Sequence, residues 1–558
     1  MDGRVGAAVA PRLRIGPARA TFLALLPAAA LFLVHASLYG GWLIDDAGIS
    51  FAYARNLVSG YGLVSQPGQV PVEGFSNPLW VLLVAGFYAL KLFSIPLVPK
   101  LLSVLAVLIS LVVFAAAVLE ITPGWEAPVI AGMGMLLTAA NPGFVVWCVS
   151  GLENPLLVML ASLLLLTALR ALRAPLEDLR RPLCAGALAA CLALTRPDAV
   201  IYSVFFPIAL VFKERSKLRE LARPIVFYTL SMAVPFGAYL LFRRFYFQDW
   251  LPNTYHAKNG VDWSALGDVL DLGGSGLDKA IGLSKAIIPA VPALIPLLFV
   301  SAALLARRIE RGIALLTIFV SLAFVVFIVM PPDWMGEFRF ATLAFPGANL
   351  LGLALLSRIP TAGHGLASKP MVLMVAGVLS LEGSGLTYLD RIQALRQHPV
   401  APLEDVARSA WRYNELARGL GLKHPTLLLP DLGGTLLLSN GRVVDIAGLC
   451  DKSIAAMYQA QAAPPQFAKY ILRSVKPDLI HVHLFWSWKS GLTGSPGFAT
   501  EYVDLGDGDY ARRESLPAGM DEAGARALKA RVSQPPSQEA LRVALSASRT
   551  PVFGQTAF

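Results

Sequence analysis

Charge is scarce in this chain: Asp, Glu, Lys and Arg make up only 15% of its 558 residues, against 56% hydrophobic residues. That balance excludes an ordinary soluble globular protein, in which roughly a quarter of residues are charged. Cysteine is nearly absent. The four present (Cys148, Cys184, Cys191 and Cys450) form no C-x-x-C pair and three lie in apolar stretches, so neither a disulfide framework nor a zinc site follows. There is no glycine-rich Rossmann fingerprint and no Walker loop, which removes the usual sequence signs of a nucleotide-sugar or ATP site. Internal repeats and low-complexity tracts are missing too.

What the chain has is long uncharged apolar runs, the mark of a polytopic α-helical membrane protein. Its net charge of +10 is also what a nucleic-acid binder would carry. Here, however, Lys and Arg fall mostly in short loops between apolar runs, so the excess reads as positive-inside topology and nucleic acid is not an expected partner. Arg4, Arg12, Arg14 and Arg19 hold residues 1–20 in the cytoplasm, and the run Thr21 to Gly40 is long enough for an uncleaved first span. The first outer loop, residues 41–100, then emerges on the far side with Asp45-Asp46 at its start. Adjacent carboxylates where a membrane helix meets water point to function by default.

Charge parity orders the rest. If Pro78 to Leu92, Leu101 to Leu119 and the run from Ala127, broken at Asn141-Pro142-Gly143, all crossed, the loop with Arg170, Arg173, Arg180 and Arg181 would face outward. Pro78 to Leu92 is the shortest and is therefore read as a helix lying in or dipping into the outer leaflet. The remaining spans are then Leu101 to Leu119, Ala127 to Val146, Pro155 to Leu169, Leu183 to Leu194, Val200 to Phe212, Ile225 to Phe242, Ile287 to Ala306, Gly312 to Met330, Phe340 to Leu356 and Pro370 to Leu389. With the first this makes about eleven spans across residues 21–390. The inner loops take the arginine clusters, Arg243-Arg244 being the exception.

Composition changes near His398. Residues 391–558 read as an extracytoplasmic α/β domain, with Leu403, Val406, Ala410, Tyr413, Ala417 and Leu420 at helical spacing and strands at Thr426 to Leu429, Arg442 to Ile446 and Asp478 to Leu484. The last thirty or so residues, around Pro535-Pro536, read as weakly ordered.

The parity argument places Asp45, Asp46, Arg55, Glu73, Asn77, Glu153, Arg196, His256, Lys258, Asp333, Glu337 and Arg339 on the same side. Paired carboxylates facing several cations suit a reaction in which an alcohol is deprotonated while an anionic group leaves. Either Asp45 or Asp46 is the candidate base; Arg55, Arg196, Lys258 and Arg339 are candidate phosphate contacts. Glu73 and Glu153 are expected to touch substrate or to hold the outer helix in place. His256 is a second base or an orienting residue. His481-x-His483 puts two imidazoles on one strand face, for a metal, an acceptor or a structural role, with Trp486 and Trp488 beside them.

Three groups of residues carry a resemblance. The first is Asp45-Asp46-Ala47-x-Ile49-Ser50-Phe51-x-Tyr53-Ala54-Arg55-Asn56-Leu57. The second is Gly60-x-Gly62 with Val72-Glu73-Gly74-Phe75-Ser76-Asn77-x-Leu79-Trp80. The third comprises the later Ser150-Gly151-Leu152-Glu153, Thr195-Arg196-Pro197-Asp198, Pro252-Asn253-x-Tyr255-x-Ala257-Lys258 and Asp333-Trp334-Met335 with Arg339. Together they resemble the GT-C membrane glycosyltransferases, most closely the terminal β-1,2-arabinofuranosyltransferases of mycobacterial cell walls and their bacterial relatives. The resemblance spans nearly the whole chain, and only the first run is strongly diagnostic. It implies a GT-C fold in a bacterial inner membrane, a polyprenyl-phosphate sugar as donor, an acceptor glycan of the cell envelope, and Trp334 among the substrate-binding residues. A divalent cation (Mg2+, Mn2+ or Ca2+) fits the resemblance, since some GT-C enzymes use one, but a single Asp-Asp pair does not require it. Gly48 stands where the family usually has tyrosine, a change expected to loosen the loop or alter the sugar pocket. Two other readings stay open: a lipid or sugar transporter, and a GT-C transferase of another sugar for lipopolysaccharide or protein. An envelope scaffold would not need so many spans.

Overall fold

The computed structural model describes residues 16–122, 124–214, 218–258, 260–289, 310–358, 369–532 and 536–547. Among these, six helices are long and apolar enough to cross a membrane: Pro17–Ser37, Leu97–Ile121, Asn154–Ala171, Arg219–Tyr246, Arg311–Val329 and Lys369–Gln397. A bent pair, Glu126–Ala140 and Pro142–Cys148, would make a seventh. At 1.5 Å per residue, the 25 residues of Leu97–Ile121 reach ~38 Å, more than the ~30 Å hydrocarbon layer. This is a multi-pass membrane protein.

The described count falls below the eleven expected spans for local reasons. Ala127 to Val146 is not one straight helix: it turns by 76° at Asn141. There the Asn141 side chain accepts from the amides of Gly143 and Phe144, starting a second helix with Pro142 in its first turn, and its Nδ2 donates to Ala286 O at 2.7 Å. Val200 to Phe212 is split into a 3-10 segment, Pro197–Val204, and a short α-helix, Phe205–Lys213. Arg180–Thr195 and Ala344–Leu356 are helices of 16 and 13 residues. Most of Ile287 to Ala306, and residues 1–15 of the expected cytoplasmic arm, lie outside the described residues.

Pro78–Ala89 has only 12 residues, ~18 Å of helix, too short to span. One face is buried, with Trp80 donating its Nε1 proton to Gly151 O at 3.2 Å, while Leu82 and Leu90 are exposed. That asymmetry suits an apolar helix with one side on protein and the other on lipid. Arg243, the exception in the charge pattern, is not a loop charge at all. It is buried against Glu73, Nε to Oε2 at 2.6 Å, so its place is set by a partner in the first loop.

After helix Lys369–Gln397 comes helix Leu403–Gly419, the predicted amphipathic one, and a mixed five-stranded sheet. Its strands are β1 (Thr426–Leu429), β2 (Arg442–Asp445), β3 (Leu479–His481), β4 (Tyr502–Gly506) and β5 (Asp509–Arg512), in the order β2-β1-β3-β5-β4. β1 runs parallel to both β2 and β3, and β5 is antiparallel to β3 and β4. The tail is more ordered than its composition suggests: Gln538–Leu545 is a helix capped by Ser537, with Leu541 and Leu545 fully buried.

The sheet region is not a detached domain. The first-loop helix, Asp45–Val58, is wedged against it. Ile44 bridges Pro402, the Asp45 amide donates to Ala401 O at 2.9 Å, and the Leu403 amide donates to Leu43 O at 2.9 Å. The Asp45 carboxylate accepts from two consecutive amides, Gly433 at 2.9 Å and Gly434 at 2.7 Å. Side chains cannot fit between these segments: a Cβ on Gly433 would lie 1.7 Å from Asp45 O, and one on Gly48 would lie 2.7 Å from Gly433 C. Gly48 therefore neither loosens the loop nor shapes the cavity described below; it permits this approach. Gly433→Ala is expected to destabilise the full chain by about 3 kcal/mol, the range of overpacked cores, in a detergent-solubilised thermal or denaturant melt. Gly494→Ala, where nothing lies within 4 Å, should leave the transition unmoved.

Candidate active site

Adjacent helical residues project about 100° apart, so Asp45 and Asp46 cannot face the same way. Asp45 turns to the sheet region and is buried; burial pushes its carboxyl up to about 8, the Gly434 and Gly433 amides pulling it back and Asp431 and Asp46 pushing it further. Asp46 turns the other way, into a cavity of about 340 Å³.

That cavity gathers half of the twelve expected polar groups. Asp46, Asn77, Glu153, Arg196, Lys258 and Arg339 all line it. They come from six separate stretches: the first turn of Asp45–Val58, the residue before Pro78–Ala89, the turn after Cys148, the end of Arg180–Thr195, the end of Asn253–Ala257, and the turn before Ala344–Leu356. Hydrogen bonds tie them into a chain. Ser50 Oγ donates to Asn77 Oδ1 at 3.1 Å, Asn77 Nδ2 donates to Glu153 Oε2 at 2.7 Å, and Glu153 Oε1 takes Arg196 Nη1 at 3.0 Å. Arg196 also pairs with Asp198 at 3.1 Å, a residue that the sequence motif contained but that was not singled out. Arg339 pairs with Asp333 at 2.9 Å and stands 3.7 Å from Asp46. Both guanidiniums rest within 5 Å of the Phe340 ring centre, 4.9 Å for Arg196 and 4.8 Å for Arg339, where cation–π attraction fixes them. Asp333 thus acts behind Arg339 and does not line the cavity.

Arg339 follows a strained turn. Glu337 and Phe338 both have left-handed backbone, φ 48° and 56°, which costs about 1–3 kcal/mol each. The turn is held by Trp147 Nε1 donating to Glu337 O at 3.0 Å and by an ion pair between Arg391 and Glu337. Lys258 differs from the two arginines: it is exposed to the cavity and forms no ion pair among the described residues. Desolvation, then Arg339 and Arg196, lower its ammonium below the usual lysine range, while Asp46 and Asp333 oppose the shift. The rest of the lining is largely apolar and includes Val200, Ile201, Val326, Val329 and Met330.

Besides Asp45 and Asp333, four expected site residues lie outside the cavity lining. Arg55 is 1% exposed and donates to the carbonyls of Leu437 at 3.0 Å and Leu436 at 3.1 Å, the end of helix Gly433–Leu438, so it is not a phosphate contact. Its place in the diagnostic run reflects the docking of the sheet region. Glu73 holds Arg243 and accepts from the Tyr239 hydroxyl at 2.7 Å, so it braces the loop and does not meet substrate. His256 pairs through Nε2 with Asp249 at 3.1 Å, outside the cavity lining, and Trp334 is exposed and outside it too. Phe340 escaped notice because a lone aromatic in an apolar run gives no signal.

A divalent cation does not suit these residues. Both Asp45 oxygens are occupied by amides and the Glu153 and Asp198 carboxylates are committed to Arg196, which leaves Asp46, beside Arg339 and Lys258. Among the described residues no three His, Cys, Asp or Glu side chains are grouped to hold a metal.

No protein-family model and no curated protein matches the sequence. Solved structures do match in fold. ArnT from Cupriavidus metallidurans in the apo state aligns with a TM-score of 0.54 at 16% identity, covering 90% of this chain and 100% of that one. The same protein bound to undecaprenyl phosphate aligns with a TM-score of 0.50 at 15% identity, covering 85% and 94%. The archaeal oligosaccharyltransferase AglB from Archaeoglobus fulgidus, in complex with an inhibitory peptide and a dolichol-phosphate, aligns with a TM-score of 0.52 at 12% identity, covering 89% and 75%. The fold is therefore of the GT-C type.

Burying a guanidinium that serves only to cap a helix has a separable signature. Arg55→Gln is expected to lower stability by about 2–3 kcal/mol, the loss of charge-assisted bonds to buried carbonyls, as read by a thermal melt. The cavity lining, to which Arg55 does not belong, should be unaltered in the folded variant.

Proposed function

We propose that the protein is a membrane glycosyltransferase that moves a sugar from a polyprenyl-phosphate donor to a glycan hydroxyl. The observation that carries this is one cavity whose lining combines a carboxylate, an ammonium with no ion pair among the described residues and two fixed guanidiniums with an apolar wall. An anionic head with a hydrocarbon tail fits that polarity, and a nucleotide donor has no corresponding fingerprint in the chain. The undecaprenyl phosphate and dolichol-phosphate in the two structures of similar fold support the same donor class.

In this reading the acceptor oxygen attacks the anomeric carbon and its proton passes to the Asp46 carboxylate. The carbon–oxygen bond to phosphate breaks, and the electron pair leaves on the phosphate. Lys258 and Arg339 stabilise that developing charge from fixed positions, and Arg196 is held for the same purpose by Glu153 and Asp198. Glu153 and Asn77 are positioning residues. The resemblance of the first-loop run supports arabinofuranosyl as the sugar, a cell-envelope glycan as acceptor, and a bacterial inner membrane with the site and residues 391–558 outside.

The two aspartates separate the roles. In an assay of labelled polyprenyl-phosphate sugars with the purified chain, Asp46→Asn is expected to lower kcat by at least about a hundredfold while the protein stays folded. Asp45→Asn should instead lower the melting temperature, with the remaining folded protein still turning over. Full activity of Asp46→Asn would end the proposed mechanism. Turnover is also expected to persist after chelation with EDTA, because the donor set at Asp46 suits no divalent cation.

A further inference from the structure

β1 pairs with β2 on one side and β3 on the other, all parallel, so the connection from β1 runs to one side and the next, from β2, returns past it to β3 on the other. In such sheets the crevice beyond the carboxyl ends at that switch point is where ligands bind. The register Leu427↔Leu479 and Leu428↔Ile480, continued three residues, sets Asp431 level with His483 across this crevice. The donor cavity does not use it.

The crevice is equipped for hydroxyl groups. His481 is fixed by Asp509, Nδ1 to Oδ1 at 2.7 Å, and Asp509 is itself held by the Tyr413 hydroxyl at 2.5 Å and Lys529 Nζ at 2.8 Å. An imidazole anchored through Nδ1 presents Nε2 as its working atom. Asp431 is partly buried, and His483 and His481 draw its carboxyl down against a rise caused first by burial. Asp46 is among the charges acting on Asp431. The link is covalent as well: Asp431 lies two residues before Gly433, whose amide holds Asp45.

Immediately beyond His483, helix Leu484–Ser490 carries Phe485 and Trp488 on one face, 52% and 79% exposed, with ring centres 6.4 Å apart. Aromatic faces beside a carboxylate and imidazoles form the pattern that takes a sugar: hydroxyls go to the polar groups and the C–H face goes to the ring. A purely lipid-seeking aromatic pair would not need the polar trio. At about 340 Å³ the donor cavity is at the small end of the ~300–1,000 Å³ that holds one small ligand, so a second sugar chain needs a place of its own.

We propose that the crevice at the carboxyl ends of β1 and β3 is the acceptor subsite, with Asp431 and His481 taking hydroxyls of an oligosaccharide and Phe485 and Trp488 stacking on the next sugar outward. This rests on the transferase reading, and the test separates the two. Full-length protein in nanodiscs of phosphatidylethanolamine and phosphatidylglycerol is titrated with fluorescently end-labelled oligosaccharides released from the envelope polysaccharide of the cells that make it. Asp431→Asn and Trp488→Ala are each expected to weaken glycan binding about tenfold, with Trp488→Phe restoring most of it and undecaprenyl phosphate binding unchanged. Unchanged glycan affinity in both variants would overturn the subsite, as would quenching of Trp488 emission by brominated lipid, which would make the helix a membrane anchor. Glycan binding that needs both residues, in a protein that transfers sugar from no polyprenyl-phosphate donor, would sink the transferase reading and keep the binding site.

Discussion

A carboxylate held by two consecutive backbone amides joins the two halves of this molecule. Left alone at its depth, the Asp45 side chain would face a desolvation penalty of several kcal/mol. The amides of Gly433 and Gly434 offset only part of it, and the remainder shows in a carboxyl raised to about 8. Such short contacts require both backbones to come together, and glycines at 48 and 433 leave room for it. The orientation of the neighbouring residue follows from helical geometry: with Asp45 committed to the sheet region, Asp46 has to point into the cavity. An apparently redundant acidic pair is thus two residues with different tasks, one structural and one facing ligand.

The same division recurs among the cations. Arg243 braces Glu73, Arg55 caps a helix of the sheet region, and Arg196 is held between Glu153 and Asp198. Buried pairs of this kind add little net stability, since desolvation offsets most of the attraction. What they supply is position. Six chain segments that have no reason to converge by hydrophobic packing alone are fixed with their polar ends around one space. The strained turn at Glu337 and Phe338 belongs to this arrangement, because it turns the chain so that Arg339 enters the cavity over Trp147 and Phe340.

Much of this was legible in residues whose placement is forced by membrane physics. Charge parity put Asp46, Asn77, Glu153, Arg196, Lys258 and Arg339 together before any contact was known, because a charged group has few places to be in an apolar chain. β1, β2 and the helix from Leu403 were visible in their periodicity. Parity cannot tell a cavity-facing group from one that turns back into protein, which is why Arg55, Glu73 and His256 carried the same expectation as Lys258. The bend at Asn141 was marked by Asn-Pro-Gly, but its 76° depends on Asn141 finding Ala286 and Tyr388 far along the chain. β4 and β5 were missed because a short hairpin rich in Asp and Gly looks like loop until its partner β3 is in place. The tail helix carries only two fully buried leucines, Leu541 and Leu545, too few to declare an apolar face.

The pairing of the cavity's cations has a consequence for a reaction that releases phosphate. A polyprenyl-phosphate sugar is a phosphodiester with one negative charge, whereas the departing phosphate monoester gains most of a second at neutral pH, its second pKa being about 6. A wall of bare cations would therefore hold product harder than substrate, and release would limit turnover. Here Arg196 is already balanced by two carboxylates and Arg339 by Asp333, with Asp46 close by, and among the described residues Lys258 alone of these cations has no ion pair with which the proposed phosphate would compete. Its ammonium is the one that its surroundings disfavour, through desolvation and two neighbouring guanidiniums, and an arriving phosphate relieves that. In the proposed transfer, Asp46 would hold the proton taken from the acceptor as the leaving group departs, so one carboxylate charge would be removed while a phosphate charge appears. On that proposal the site's net charge is conserved through the transfer, and losing the proton to solvent restores the repulsion that favours release.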